Sequence, residues 1–304
     1  MTDSSSKATH LYTPKDVLQR GLKLVDSFLG LSLDYLLALD VEDHDNHTKC
    51  ADWFECIYGP DYATAADIWN DLQTNEIEDA LVNVEEDGTC LEDFLMALYF
   101  ALTYKTRAEI ETVFFKSHTT IRKWVEHYIP KIAALKADKI AWPQHLHTEV
   151  FTLGVIRCKI SGHTMTPDPA YYDDQLDGYG FAYEIARTAM DDKCVWIKGP
   201  LPAGMHDDEM HQSELRDKLL ETNGVAIAGT SYLHEPTIRV ANPYEPYPEL
   251  KLNMMKQHNK FVDMIKRCQC LSSEVAFRHS EEMHSKCFEA VVVICQYQIE
   301  KSHE

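Results

Sequence analysis

Four polar side chains near the middle of the chain have the types and spacing that suit contact with nucleic acid. His118, Thr119, Arg122 and Lys123 stand at the start of a predicted helix, and Ser117 is a candidate for its N-cap. Basic side chains pair with phosphates, whereas polar side chains on one helix face reach base edges in a major groove. These four residues are therefore candidates for base and phosphate contacts.

The element that has to position them is a pair of short helices. Thr106 is a candidate cap for a helix that runs to Phe115, and a turn separates this helix from the one that follows Ser117. Two helices joined by a short turn form a helix-turn-helix, whose second helix can enter the major groove. Such pairs also occur as ordinary helical packing. The expected DNA-binding segment is residues 106–139.

Charge is unevenly distributed along the chain, whose formal net charge is -20. Between Leu31 and Phe100 there are 18 acidic residues and one basic residue, whereas residues 101–150 contain 8 basic and 5 acidic ones. Because acidic surface repels phosphate, any contact with nucleic acid is expected after Ala101. The acidic front is interpreted as a solvated surface, and docking on a basic protein partner is the alternative.

Composition excludes several classes of protein. No apolar run reaches the roughly 18 residues that a membrane span needs, so no membrane partner is expected. The polar start lacks the layout of a secretory signal, which favours the nucleus or the cytoplasm. The nine cysteines are scattered, and the closest pair, Cys268 and Cys270, matches no zinc or redox motif. They are interpreted as free thiols packed as small apolar groups.

The predicted elements divide the chain into three regions: an acidic helical region (1–90), a helix-turn-helix-like domain with a linker (91–143) and a mixed α/β domain (144–304). In the first region, the helical spacing of apolar residues predicts a helix over Pro14–Leu39, and Asp45–Lys49 is predicted to be a loop. The fold class is therefore α/β, with a helical N-terminal part followed by a mixed sheet flanked by helices.

Strand-forming runs begin the third region. Val150–Ile160, Gly180–Ala189 and Cys194–Lys198 are predicted as consecutive antiparallel strands. A helix is predicted over Asp207–Glu221, and a short buried strand over Val225–Ala228 is expected beside the first strand. The closing segments are a Pro-rich connection and two predicted helices: Pro236–Pro248, Leu250–Leu271 and Ser280–Glu300.

Three segments carry a family resemblance. From Trp196 to Asp207, a strand and a Gly-containing loop lead to a His-Asp pair that opens a helix. This segment resembles the surroundings of the second catalytic aspartate in Harbinger-like transposases of the DDE superfamily. Phe277–His279 with Cys287–Gln298 resembles the family's closing region, in a branch found in diatoms and other protists, and Ala134–Pro143 resembles its linker. The resemblance covers Leu91 to Glu300 and implies a ribonuclease H-like nuclease domain.

Such a nuclease holds two divalent cations about 3.5 to 4 Å apart on converging carboxylates. Of the four acidic positions that the resemblance implies, only Asp207 is retained. The first position falls on Ile156 or Arg157, the third on Gly229 and the fourth on Asn259. One carboxylate cannot hold two cations, and no second one is expected near Asp207. The resemblance therefore implies a catalytically dead domain without a cofactor.

Three alternatives remain open beside this transposase-derived protein with residual DNA or protein binding. The first is an active nuclease that uses Mg²⁺ or Mn²⁺, with substitute acids from a predicted surface loop: Asp168, Asp173, Asp174 and Asp177. The second is a DNA-binding regulator built on the helix-turn-helix. The third is a protein-interaction module that docks through its acidic front.

Overall fold

The structure, a computed structural model, describes residues 11–25, 44–79, 90–143, 150–161, 168–211, 214–232, 238–241 and 247–303. The chain is grouped into two compact units. Unit 1 contains residues 1–100 and 105–131, and unit 2 contains residues 101–104 and 132–304. The sequence-based division at residues 90 and 143 stays a prediction.

Unit 1 is helical. Its helices are α1 (Pro14–Leu24), α2 (His44–Tyr58), α3 (Tyr62–Asp79), α4 (Leu91–Thr103), α5 (Arg107–Phe114) and α6 (His118–Ala134). The last residues of α4 and α6 are counted with unit 2. In the core, the ring of Trp69 packs against those of Phe94 and Tyr128, at centroid distances of 5.5 and 6.0 Å. Burial of one apolar face of each helix holds the unit together.

Unit 1 contains two segments whose state was predicted from the sequence. The loop predicted at Asp45–Lys49 is wrong, because these residues belong to the first turns of α2. Further along α2, Cys50, Phe54 and Tyr58 are buried, and this packing outweighs the weak helix propensity of the preceding polar residues. The helix predicted over Pro14–Leu39 is present as far as Leu24, and its residues 26–39 lie outside the described part of the chain.

Unit 2 contains a mixed sheet. Its strands are β1 (Val150–Lys159), β2 (Tyr172–Asp173), β3 (Gly178–Thr188), β4 (Cys194–Pro202), β5 (Val225–Ala228) and β6 (Ile238–Val240). Strand β3 lies between β1 and β4 and is antiparallel to both. On the other side of β1, β5 is parallel to β1 and β6 is parallel to β5. The order is β4-β3-β1-β5-β6, and β2 also pairs with β3.

This arrangement confirms the predicted mixed α/β class, the antiparallel pairing of the three long strands β1, β3 and β4, and the placement of Val225–Ala228 beside β1. Two short strands were not predicted. Strand β2 has two residues and β6 has three, which is too short for an alternating pattern to be recognised. Within the helix predicted over Asp207–Glu221, α8 (Asp207–His211) and α9 (Glu214–Glu221) are helical, and residues 212–213 lie outside the described part of the chain.

Helices cover both faces of the sheet. The remaining ones are α7 (Lys136–Lys139), α10 (Pro248–Arg267) and α11 (Glu281–Ser302). Leu215 of α9 belongs to one core cluster with Leu153 of β1. Side chains alternate along a strand, so the neighbouring Thr152 faces the other way. His258 of α10 lies against Thr152 with Nδ1 at 3.0 Å from Oγ1. Helix α10 therefore packs on the opposite face from α9.

Candidate functional site

A cluster of largely buried charges surrounds Arg157 on β1. Its Nη2 donates to Oδ1 of Asp207 at 2.7 Å, and its Nε lies 3.1 Å from Oδ2 of Asp173. The guanidinium also donates to the carbonyl oxygens of Ala203 and Met205, at 3.0 and 3.1 Å. The exposed fractions are 17% for Arg157, 11% for Asp173 and 13% for Asp207. Arg157 thus ties β1, β2 and the start of α8 together.

Strand alternation decides which residue of β1 meets Asp207. Ile156 is paired with Tyr183 of β3 and is fully buried, and the Tyr183 ring stacks on Phe288 of α11 at 3.7 Å between centroids. Ile156 therefore faces α11, whereas Arg157 faces the other side of the sheet. Of the two residues that the sequence left open, Arg157 is the one that contacts Asp207.

The other two positions of lost acids are placed differently. Gly229 directly follows β5, and nothing lies within 4 Å of the position that a Cβ would take there. Helix α8, which begins at Asp207, contacts the Thr230–Tyr232 turn that follows Gly229. Asn259 is exposed on α10, on the sheet face opposite to Arg157. The structure therefore brings Asp207 near Arg157 and the turn after Gly229, and it leaves Asn259 apart from this face.

Asp173 corrects one expectation. The four candidate substitute acids were predicted to lie in a surface loop, and no second carboxylate was expected near Asp207. Asp168, Asp174 and Asp177 are indeed exposed. Asp173, however, lies in β2, and its carboxylate shares the Arg157 guanidinium with Asp207. The sequence named Asp173 as a candidate acid but placed it in a loop, because a two-residue strand carries no readable periodicity.

The cluster does not fit a two-metal site. Divalent cations such as Mg²⁺ require several converging oxygen ligands and usually keep bound water. Here the two carboxylates are already paired with a guanidinium, which supplies the positive charge locally. In the described parts of the chain, no three His, Cys, Asp or Glu side chains form a group that could hold a metal ion.

Buried His and Cys side chains of unit 2 are packing groups. Burial, with a smaller contribution from the charge of Arg187, lowers the pKa of His258 to about 3. Its ring lies so close to β1 that a Cβ added at Gly154 would be 2.6 Å from Nε2. Burial raises the pKa of the Cys158 thiol to about 12. His258 therefore stays neutral and Cys158 stays protonated near neutral pH, and neither is poised as a general acid or a nucleophile.

In unit 1, three residues connect α5 to α6. Phe115 ends α5 in a left-handed conformation with φ of 52°, and its side chain is 73% exposed. Oγ of Ser117 accepts from the backbone N–H of Thr120 at 3.3 Å and so caps α6. Both helices bury apolar side chains, among them Ile110, Val113, Phe114, Ile121 and Val125. A short connection therefore joins α5 to α6, and each helix buries apolar side chains.

All four residues predicted to contact DNA lie on the first turns of α6, and their side chains are exposed: His118, Thr119, Arg122 and Lys123. Three of them line an open surface concavity of about 510 Å³ together with Glu126 and His127. The ammonium group of Lys123 lies 4.8 Å from the centroid of the Trp124 ring. This basic, concave side of α6 is the second candidate site, and we call it the α6 surface.

Two glutamates that pair with residues predicted to contact DNA were not singled out from the sequence: Glu126 on the α6 surface and Glu111 on α5. Oε1 of Glu126 accepts from Nε of Arg122 at 2.7 Å. Oε1 of Glu111 lies 3.3 Å from Nδ1 of His118. The four-residue spacing of Arg122 and Glu126 is the signal that identifies the first pair on a helix. The second joins two helices and leaves no such signal.

Comparison with known protein families, with curated proteins and with solved structures finds no match to this chain. In the described parts of the chain, no helix is long and apolar enough to cross a membrane. The geometry of the Arg157 cluster and of the α6 surface is therefore the basis for a functional proposal.

Proposed function

We propose that this protein is a transposase-derived DNA-binding protein whose ribonuclease H-like domain has lost metal-dependent DNA cleavage. The observation that carries the proposal is the contact of Arg157 with Asp207 at 2.7 Å. The resemblance to Harbinger-like transposases implies an aspartate at this point of β1 and the retained aspartate at Asp207. A cationic side chain thus occupies the place of an acidic one.

The strand order of unit 2 supports the ribonuclease H-like part of the proposal. The antiparallel strands β1, β3 and β4 are followed, after α8 and α9, by β5, which lies beside β1 and parallel to it. Asp207 opens the helix that follows the third of these strands. Both features agree with what the resemblance implies.

The chemistry of a guanidinium explains the loss of cleavage. In a two-metal site, one cation generates the attacking nucleophile and the other stabilises the leaving oxygen. The Arg157 guanidinium pairs with Asp173 and Asp207 and offsets one of their two negative charges, but it has no coordination position for a water or a phosphate oxygen. The cluster therefore keeps the acids paired without supplying the chemistry of a metal.

The α6 surface supports DNA binding. Exposed Arg122 and Lys123 follow the three-residue connection on the second helix of a pair, which is the position of the recognition helix in a helix-turn-helix. Lys116 is also exposed in the connection itself. Phosphate contacts of this kind supply affinity and make it dependent on salt.

Fluorescence anisotropy with a labelled duplex of about 20 base pairs, measured over a series of salt concentrations, tests the binding. Lys116→Gln combined with Lys123→Gln should lower the absolute slope of log K against log salt by about 2. The matched control changes two exposed lysines of α10, Lys256→Gln with Lys260→Gln, which alters net charge equally. No binding by the parent, or the same slope in both double variants, would contradict the proposal.

A cleavage assay tests the proposed loss of metal-dependent DNA cleavage. The parent should leave supercoiled and linear duplex intact with either Mg²⁺ or Mn²⁺. Cleavage that disappears in Asp207→Ala and also in Asp173→Ala would instead establish an active nuclease with Asp173 as a substitute acid.

A further inference from the structure

We infer that Arg122 reads a guanine base in the major groove of duplex DNA, and that Glu126 is the positioning residue that aims it. This inference rests on the DNA binding proposed above and adds the base that the α6 surface recognises. The observation behind it is the Arg122–Glu126 pair on the exposed side of α6.

The geometry of the pair leaves the outer edge of the Arg122 guanidinium available to a base. Glu126 holds the guanidinium through Nε, at 2.7 Å from Oε1. The terminal nitrogens Nη1 and Nη2 are thereby left for another partner. Both side chains are exposed, at 62% for Arg122 and 50% for Glu126. A guanidinium oriented in this way loses less conformational freedom when it binds, because its carboxylate partner already restrains it.

The chemistry of the base edges selects guanine. In the major groove guanine presents two acceptors, O6 and N7, which match two parallel N–H donors of one guanidinium. Adenine presents one acceptor and one donor at the same edge, so that the second N–H of the arginine would meet an amino group.

The carboxylate also argues for a base contact over a phosphate contact at Arg122. Glu126 lines the same concavity as Arg122, Lys123 and Thr119. A carboxylate repels phosphate, so its presence beside Arg122 weakens a purely electrostatic contact with the backbone. The same carboxylate does not oppose a hydrogen-bonded contact with a base edge, where cytosine of the same pair presents an amino donor. Lys116 and Lys123 are assigned to phosphate contacts in this inference.

Four duplexes of equal length test the reading with the full chain: one of alternating G·C, one of alternating A·T, and two in which 7-deazaguanine or inosine replaces guanine. 7-Deazaguanine lacks the N7 acceptor in the major groove, and inosine lacks only the minor-groove amino group. The parent should bind the G·C duplex at least about fivefold more tightly than the A·T duplex, the lower end for one bidentate contact. 7-Deazaguanine should remove most of this preference and inosine should retain it.

Two variants assign the preference to the pair. Arg122→Ala removes every donor that could reach O6 and N7 of guanine, so the G·C preference should fall to within about twofold of unity while Lys116 and Lys123 maintain binding. Glu126→Gln should bind the A·T duplex more tightly than the parent and prefer G·C less. Lys260→Gln should leave the preference unchanged, and circular dichroism melts check that every variant is folded.

The outcomes separate this inference from the proposed function. Equal affinity of the parent for G·C and A·T duplexes overturns the guanine reading and leaves DNA binding standing. If inosine removes the preference and 7-deazaguanine retains it, the contact lies in the minor groove. This result also overturns the reading of guanine in the major groove. A G·C preference that survives in Arg122→Ala assigns the base contact to another residue and overturns the inference. Binding to none of the duplexes overturns the inference and the proposed function together.

Discussion

Replacing Arg157 by methionine is the substitution that most directly probes the cluster on β1. Methionine approximates the length of the aliphatic stem and removes the charge and all donors. Asp173 and Asp207 would lose their shared partner, and the carbonyl oxygens of Ala203 and Met205 would lose theirs. We therefore expect Arg157→Met to destabilise unit 2.

The magnitude follows from burial. Removing one partner of a fully buried ion pair costs about 3 to 5 kcal/mol, because the other charge is stranded. The exposed fractions of 11% and 13% for the two carboxylates admit some water, so we expect a loss of about 2 to 4 kcal/mol. At about 2 to 4 °C per kcal/mol for a domain of this size, the Tm should fall by about 4 to 16 °C.

Urea unfolding and calorimetry measure this effect, and a double-mutant cycle isolates the pair. Arg157→Lys keeps a charge without the planar fork, so its loss should be smaller. Combining Arg157→Met with Asp207→Asn removes a stranded charge as well as its partner. The double variant should therefore be more stable than additivity predicts, by about 1 to 3 kcal/mol. A Tm of Arg157→Met within about 1 °C of the parent, or strict additivity, would refute the reasoning.

Further predictions concern the buried histidines and the glycine beneath one of them. Burial lowers the pKa of His258 and of His284 to about 3, so the folded protein keeps both rings neutral while the unfolded chain protonates them below about pH 6.5. The free energy of unfolding should therefore fall as pH drops from about 6.5 towards 3, by up to about 1.4 kcal/mol per pH unit for each ring. Urea titrations at about pH 6.5 and 5.5 measure this slope, and a flat profile would show that the rings are not held neutral. Gly154→Ala should cost about 1 to 3 kcal/mol, because the new Cβ would lie 2.6 Å from Nε2 of His258. A Gly154→Ala variant as stable as the parent by the same titration would contradict the packing of this ring.

The extent to which sequence predicted the structure differs between elements. The long strands β1, β3 and β4 were recognisable because their runs of β-branched, aromatic and aliphatic residues are bounded by turn residues, and the pairing of β5 with β1 followed from their order. The prediction of a loop at Asp45–Lys49 was wrong because tertiary packing stabilises this helix. Residues further along α2 are buried, and their packing keeps the first turns helical.

The two candidate sites differ in how far the sequence predicted them, because one depends on local sequence and the other on the folded sheet. The exposed residues of α6 could be placed because helix capping and periodicity are local in sequence. Asp173 and Asp207 are 34 residues apart in sequence numbering, and only the folded sheet brings both to one guanidinium. Strand alternation likewise separates Ile156 from Arg157, a distinction that needs the register of β1 against β3.

The central claim, that Arg157 takes the place of a metal at Asp207, is tested most directly by measuring the Tm of the parent and of Arg157→Asp with and without Mn²⁺. Without metal, the added carboxylate should repel Asp173 and Asp207 and lower the Tm of the variant. A divalent cation relieves this repulsion, and at a hundredfold excess over Kd it stabilises the folded state by about 2.7 kcal/mol. The account predicts a rise of several degrees for Arg157→Asp and no shift for the parent. A rise in the parent that Asp207→Asn abolishes would contradict it.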